Sequence, residues 1–352
     1  MHPRRTWRPA LIAVAVTVVT GTVAAPAAAA TPQPVYAPSG GIADPGVVRH
    51  NDSFVVFATG TRAPAHRGET ASGPWSTLGT TLGSVPDWAE NGAVWAPDAV
   101  RTATGWVLYY SLPAKGKNGQ RCIGAATSEA VGGPYTPVGT APLVCPGGAH
   151  GADDVVAGRP VAAAGVIDPS PFEDADGKRF VLYKTQQTPS SIRMLRLDDT
   201  GTRWVGNASG ELVRNTGIIE NPVLRQRGST FVLFASRYGY DNCSYATVYL
   251  TSTDRWDFHG RTEHPLLTTS GTGICGPGGA DLVPALVDDE QRLFLHGWVC
   301  GGTTPCRQRA DGSLPADARR ALYAAVSCAW LCSAFIMFCA MTLRIRVSFT
   351  VW

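Results

Sequence analysis

One kind of segment recurs along the chain: an acidic residue at or beside a proline, a short apolar stretch, a polar turn, and then a run of aromatic and branched residues. Asp44-Pro45 leads through Val47-Val48 and a turn at His50-Asn51-Asp52 into Phe54-Val55-Val56-Phe57. Trp95-Ala96-Pro97-Asp98 leads through Thr104-Gly105 into Trp106-Val107-Leu108-Tyr109-Tyr110. Asp168-Pro169 leads through Asp174-Ala175-Asp176-Gly177 into Phe180-Val181-Leu182-Tyr183, and Glu220-Asn221-Pro222 leads through Arg227-Gly228 into Phe231-Val232-Leu233-Phe234. A fainter fifth copy runs from Gly279 and Asp281 past Asp288-Asp289 to Leu293-Phe294-Leu295-His296. With Asp44, Asp98, Asp168, Glu220 and Asp281 taken as equivalent points, the period is roughly 50 to 70 residues, room for four short strands and their turns. No long apolar stripe of helical period crosses the chain between residue 30 and its last segment, so helix-rich folds are excluded. The expected fold is all-β, a five-bladed β-propeller.

That architecture gives the acids a common address. The innermost strand of each blade lines the central channel, so a carboxyl at one place in each repeat points toward the axis. A single Asp-Pro or Asn-Pro is no more than turn punctuation; it is the recurrence ahead of an apolar strand that implies convergence. Carboxyls brought together raise one another's pKa, so one of them is expected to keep a proton near neutrality. A protonated and an ionised carboxyl facing one site suit cleavage of a glycosidic bond. The rival chemistries lack residues: there is no G-x-S-x-G elbow and no H-E-x-x-H, and the histidines at 2, 50, 66, 150, 259, 264 and 296 show no metal-ligand spacing and read as structural or solvated.

Composition narrows the partners and the compartment. A formal net charge of +3 with 16% charged residues carries no footprint for nucleic acid. Arg4, Arg5 and Arg8, an apolar run over 10–25 and the small-residue string Ala27 to Ala30 have the anatomy of a signal peptide, so residues 1–30 are expected to be removed on secretion. Export permits disulfides. Six of the nine cysteines fall in the repeat region, where pairing of sequence neighbours is the simplest of several connectivities: Cys122 with Cys145, Cys243 with Cys275, Cys300 with Cys306.

The elements Ala43-Asp44-Pro45, Trp95-Ala96-Pro97-Asp98, Val166-Ile167-Asp168-Pro169, Ile219-Glu220-Asn221-Pro222 and Gly276-Pro277-Gly278-Gly279 resemble, in order, the five blade signatures of glycoside hydrolase family 43. That family comprises arabinofuranosidases, arabinanases and β-xylosidases. The resemblance spans residue 35 to about 323. It implies Asp44 as the general base that activates water, Glu220 as the general acid, Asp168 as the carboxyl that tunes and orients the acid, and an inverting reaction. Trp95 would stack on a sugar ring, and Asp98 would accept from sugar hydroxyls. The implied substrate is plant arabinan or arabinoxylan, cleaved at α-L-arabinofuranosyl linkages by a secreted, extracellular monomer. β-Xylosidase or endo-arabinanase action and a lectin-like propeller without catalysis are the alternatives; a retaining fructan hydrolase is a third possibility.

Two departures from the family pattern stand out. Many arabinan-cleaving members carry a His, associated with a channel metal ion, where this chain has Gly279, so no cofactor and no calcium are expected. At the other end, Arg319-Arg320-Ala321-Leu322-Tyr323 resembles the closing strand, but an uncharged apolar run over 326–343 follows, with Arg344 and Arg346 beyond it. The expected division is therefore a signal peptide at 1–30, a propeller at 31–323 and an atypical apolar tail at 324–352, read as a frame-shifted end or as the chain's one possible membrane anchor, with ring closure incomplete.

Overall fold

Each repeat folds into its own antiparallel sheet. In the computed structural model, residues 34–145, 165–284 and 291–325 are described. The proposed signal peptide, the turn at Asp288-Asp289 and the apolar run with Cys328, Cys332 and Cys339 lie outside them. Five sheets make up the ring, and their innermost strands are Gly46–His50, Ala93–Thr102, Val166–Glu173, Ile219–Arg227 and Cys275–Pro284. Each pairs with the aromatic-rich strand that follows it, Ser53–Phe57, Gly105–Pro113, Arg179–Thr185, Thr230–Arg237 and Gln291–Cys300 in turn. The five-bladed propeller is thus present, copy for copy.

These second strands are buried on both faces because each blade is sandwiched between two others. Five apolar clusters fill the gaps between neighbouring blades. Phe57, Leu108 and Tyr135 pack between blades one and two, and Tyr109, Val181 and Leu195 between two and three. Leu182, Ile219 and Leu233 pack between blades three and four, and Phe234, Leu282 and Leu295 between four and five. Phe54, Val56, Phe294 and Leu322 join blade five to blade one. Each fully buried side chain of this kind contributes roughly 1.5–3 kcal/mol.

Incomplete closure, expected from the composition of the tail, is not found. The closing strand runs Arg319–Ala325, two residues past the boundary read from the sequence, and pairs with Gln291–Cys300 along its length. Its free edge is taken by Pro34–Tyr36, so the N-terminal strand completes blade five. The three neighbour disulfides are all present, Cys122–Cys145, Cys243–Cys275 and Cys300–Cys306.

Candidate active site

Every inner strand carries the same distortion in or just before its first half. Asp44, Ala96, Asp168, Asn221 and Gly279 have φ of +49°, +41°, +57°, +47° and +58°. In blades two to five the pairing register slips across this residue, between Trp95 and Asp98, Ile167 and Ser170, Glu220 and Val223, and Gly278 and Asp281. The bulge re-aims the adjoining side chains at the channel mouth. Asp and Asn tolerate this left-handed conformation better than most residues, and Gly adopts it freely.

The bulge also corrects the phase of the repeat. Asp98 is not the counterpart of Asp44; Ala96 is. Asp98 lies two residues further along the channel, level with Ser170 and Asp281, and lines both the narrow axial cleft and a 610 Å³ cavity beyond it. Burial, followed by the nearby Asp281, raises its pKa well above the usual carboxylate range. Glu220 stands one residue before the bulge of blade four, at the place held by Trp95 in blade two.

The second strands supply a matching ring. The partners of the pre-bulge residues are Thr59, Ser111, Lys184, Ser236 and His296. Thr59 Oγ1 donates to Asp44 Oδ2 at 2.7 Å and accepts the Ala96 N–H at 2.9 Å. His296 Nδ1 accepts the Asp44 N–H at 2.9 Å, and Ser236 Oγ accepts that of Gly279 at 2.8 Å. Lys184 Nζ donates to Glu220 Oε2 at 2.6 Å. Apart from the bond of Thr59 to Asp44 within blade one, these clasps run from one blade to the next, so groups that hold the site also hold the ring.

Three carboxyls meet here. Asp44 is one-fifth exposed and accepts at both oxygens, from Thr59 and from Asn221 Nδ2 at 3.4 Å. Asp168 accepts the Asn221 N–H at 3.0 Å; burial first, then Glu220 and Asp44, push its pKa up to about 7, against the pull of Lys184. Glu220 is buried, with Tyr245 Oη 2.8 Å from Oε1. Near neutral pH the cluster therefore still holds a proton at Asp168 about half the time.

The family model of "Glycosyl hydrolases family 43" matches residues 32–308, a span that takes in all five bulges and all three carboxyls. The chain belongs to glycosyl hydrolases family 43. Among curated relatives, this family 43 chain is 34% identical over 144 residues to the "Probable arabinan endo-1,5-alpha-L-arabinosidase D" of Emericella nidulans, covering 40% of this chain and 36% of the relative. It is 24% identical over 254 residues to the "Extracellular endo-alpha-(1->5)-L-arabinanase 2" of Bacillus subtilis, covering 65% and 52%. The matches thus span between about a third and a half of those relatives. The crystal structure of a thermostable family-43 glycoside hydrolase superposes with a TM-score of 0.62 at 17% identity, over 82% of this chain and 91% of that one. The endo-arabinase of Bacteroides thetaiotaomicron gives 0.61 at 13%, over 84% and 96%. These structures share the fold.

Trp95, 37% exposed, stands at the mouth of the family 43 site with the Arg121 guanidinium 3.5 Å from its ring centre. Gly279, where a His associated with a channel metal was looked for, is backed by His296. A Cβ at Gly279 would lie 2.8 Å from the His296 ring, so this imidazole fills the space of the missing side chain. Burial, with Arg320 adding to it, lowers the His296 pKa to about 3, so the ring is neutral. Because Nδ1 accepts the Asp44 N–H, the proton of the neutral ring sits on Nε2, which is buried and has no hydrogen-bond partner among the described residues.

The ring of second-strand residues was not foreseen from the sequence, and His296, read there as structural or solvated, is fully buried against the proposed base. A signal existed: the apolar run of each second strand is followed directly by a polar residue, Thr59, Ser111, Lys184, Ser236 or His296, and the last four are buried. Tyr245, by contrast, lies far from any motif and is joined to the site only by the fold.

Proposed function

We propose that this chain is an exported glycosidase that cleaves arabinan internally, with inversion at the anomeric carbon. The single observation that carries this reading is the meeting of Asp44, Asp168 and Glu220 at one mouth of the channel, all three tied to Asn221 or to Tyr245 beside it. Asp44, ionised, takes the proton of a water attacking the anomeric carbon. Glu220 gives its proton to the departing glycosidic oxygen. Asp168, near its midpoint at neutral pH, shares the proton load and restrains the ionisation of its neighbour.

Two observations favour internal cleavage over removal of single arabinofuranosyl groups. Both curated relatives described above are named as endo-acting on arabinan. Exposed aromatics adjoin the site-bearing strands of two blades, Trp95 on blade two and, just past the second strand of blade four, Tyr238 and Tyr240 (54% and 55% exposed), with Arg237 and Arg320 over the latter two rings; they offer platforms for a polymer. One face of Trp95 is covered by Arg121, so the sugar takes the other. Export is supported by the leader anatomy, by three disulfides and by the word "Extracellular" in the name of the Bacillus relative. The reaction is proposed to need no channel cation, since His296 occupies that space.

Product analysis on debranched arabinan, arabinoxylan and xylan, with proton NMR of the first product, tests the reading. Arabino-oligosaccharides of inverted configuration are expected. Release of arabinose alone restores exo action, retained configuration removes the mechanism, and no hydrolysis by folded protein removes the enzyme.

A further inference from the structure

Asn221 touches all three carboxyl systems, through three different atoms. Its N–H donates to Asp168, its Nδ2 donates to Asp44 Oδ1, and its Oδ1 stands 2.8 Å from the Tyr245 hydroxyl. That hydroxyl is also 2.8 Å from Glu220 Oε1. Tyr245 is fixed there: its ring is fully buried, stacks on His296 at 5.6 Å and 11°, and presses on Gly278, where a Cβ would lie 2.2 Å from it.

The hydroxyl has one proton and two facing acceptors, and the Ser236 side chain also hydrogen-bonds to it. Asn221 cannot turn its amide oxygen toward an ionised Asp44 without setting it against a carboxylate oxygen, so Oδ1 is held toward Tyr245. Both short contacts are then hydrogen bonds only if Glu220 carries a proton on Oε1: Glu220 donates to Tyr245, and Tyr245 donates to Asn221. In the converse state Asp44 is protonated and Glu220 ionised. The amide flips, Asp44 donates to Asn221 Oδ1, Nδ2 donates to the tyrosine oxygen, and Tyr245 donates to Glu220. Every donor is again matched. A mixed state, with both acids ionised or both protonated, leaves a buried polar group without a partner and is disfavoured.

We infer that Asn221 and Tyr245 are a positioning pair that couples the protonation of Glu220 to the ionisation of Asp44. Resting on the proposed reaction, this deepens it: base ionised with acid protonated is the state that enters an inverting hydrolysis, and the converse is the state that leaves it. The pair therefore supports both ends of one turnover. Other titratable groups face the two acids from neighbouring strands. Lys184 and Asp168 lie beside Glu220, and His296 and Asp168 beside Asp44; Lys184, at the other oxygen of Glu220, favours the ionised form and opposes the pair.

The test is a carbon-13 NMR titration of side-chain carboxyls in the full chain, with the Glu220 signal identified by its loss in Glu220→Gln. Asn221→Gly keeps the left-handed backbone, and Tyr245→Phe keeps the ring stack. In both variants Glu220 is expected to lose its proton about 0.5 to 1 pH unit lower than in the parent chain, the equivalent of one net hydrogen bond. The alkaline limb of the pH–rate profile should move down with it, whereas a merely structural role lowers kcat and leaves the limbs in place. Glu220 midpoints that agree within about 0.2 pH unit across parent and variants overturn the inference. Because the titration needs no turnover, it decides the matter even if the parent chain hydrolyses no arabinan, an outcome that would count against the proposed function alone.

Discussion

Lys184 Nζ and Glu220 Oε2 are 2.6 Å apart and both side chains are buried, so the cation of blade three is paired with the carboxyl of blade four. The ammonium holds one oxygen of Glu220 while Tyr245 holds the other, and the two contacts pull the proton in opposite directions.

Replacing the ammonium should therefore show itself as a pH effect. In Lys184→Met the buried carboxyl has no adjacent cation when it ionises, and breaking one side of a buried pair costs roughly 3 kcal/mol. That loss is expected to be larger at pH 8 than at pH 5, because acid favours the uncharged carboxyl over an uncompensated buried anion. Thermal unfolding at both pH values measures it; an equal loss at both would mean the lysine acts by packing alone.

Asp168 has a folded pKa of about 7, above the ordinary carboxyl value, because it is buried and near Glu220 and Asp44. Between roughly pH 4 and 7 the folded chain thus holds a proton that the unfolded chain has released, and stability falls as pH rises through that window. Asp168→Asn retains an acceptor for the Asn221 N–H and cannot ionise. It should match the parent chain near pH 4 and become more stable than it as pH rises to 7, while turnover drops about 100-fold or more. A variant less stable than the parent at pH 8 contradicts this.

Gly279 and Gly228 share a φ of +58°, but a Cβ at Gly279 would lie 2.8 Å from the His296 ring whereas one at Gly228 would meet nothing within 4 Å. Alanine at either site incurs about 1 kcal/mol of backbone strain. Gly279→Ala should be the more destabilised and should alone lose turnover, through displacement of His296 from the Asp44 N–H. Equal melting temperatures and equal rates for the two variants would separate His296 from the base.

Dialysis against a chelator is expected to leave both hydrolysis rate and melting temperature unchanged, and added calcium to raise neither. A calcium-dependent rise in melting temperature would show that another set of donors holds an ion.

The blade count was legible because each copy pairs a proline-marked start with an apolar second strand, a pattern that needs only local sequence. The phase was not. Asp44 and Asp168 occupy the bulge because Asp tolerates a left-handed backbone, and in blade two that place went to Ala96, which no search for acids would mark. Asp98 was drawn into the register by chemistry rather than by geometry. Lys184, His296 and Tyr245 entered the site through pairings across 36, 252 and 25 residues, which no local pattern encodes. The closing strand was misjudged because composition changes just after it, while the backbone pairing that defines it continues to Ala325.

The pairing of Pro34–Tyr36 with Arg319–Ala325 also fixes an order of events. The first strand of the propeller to leave the ribosome has no partner until almost the whole ring has been made, so its docking comes late in folding. Loss of residues at either end of the ring would open the same sheet, and both lesions should expose the same edge to aggregation.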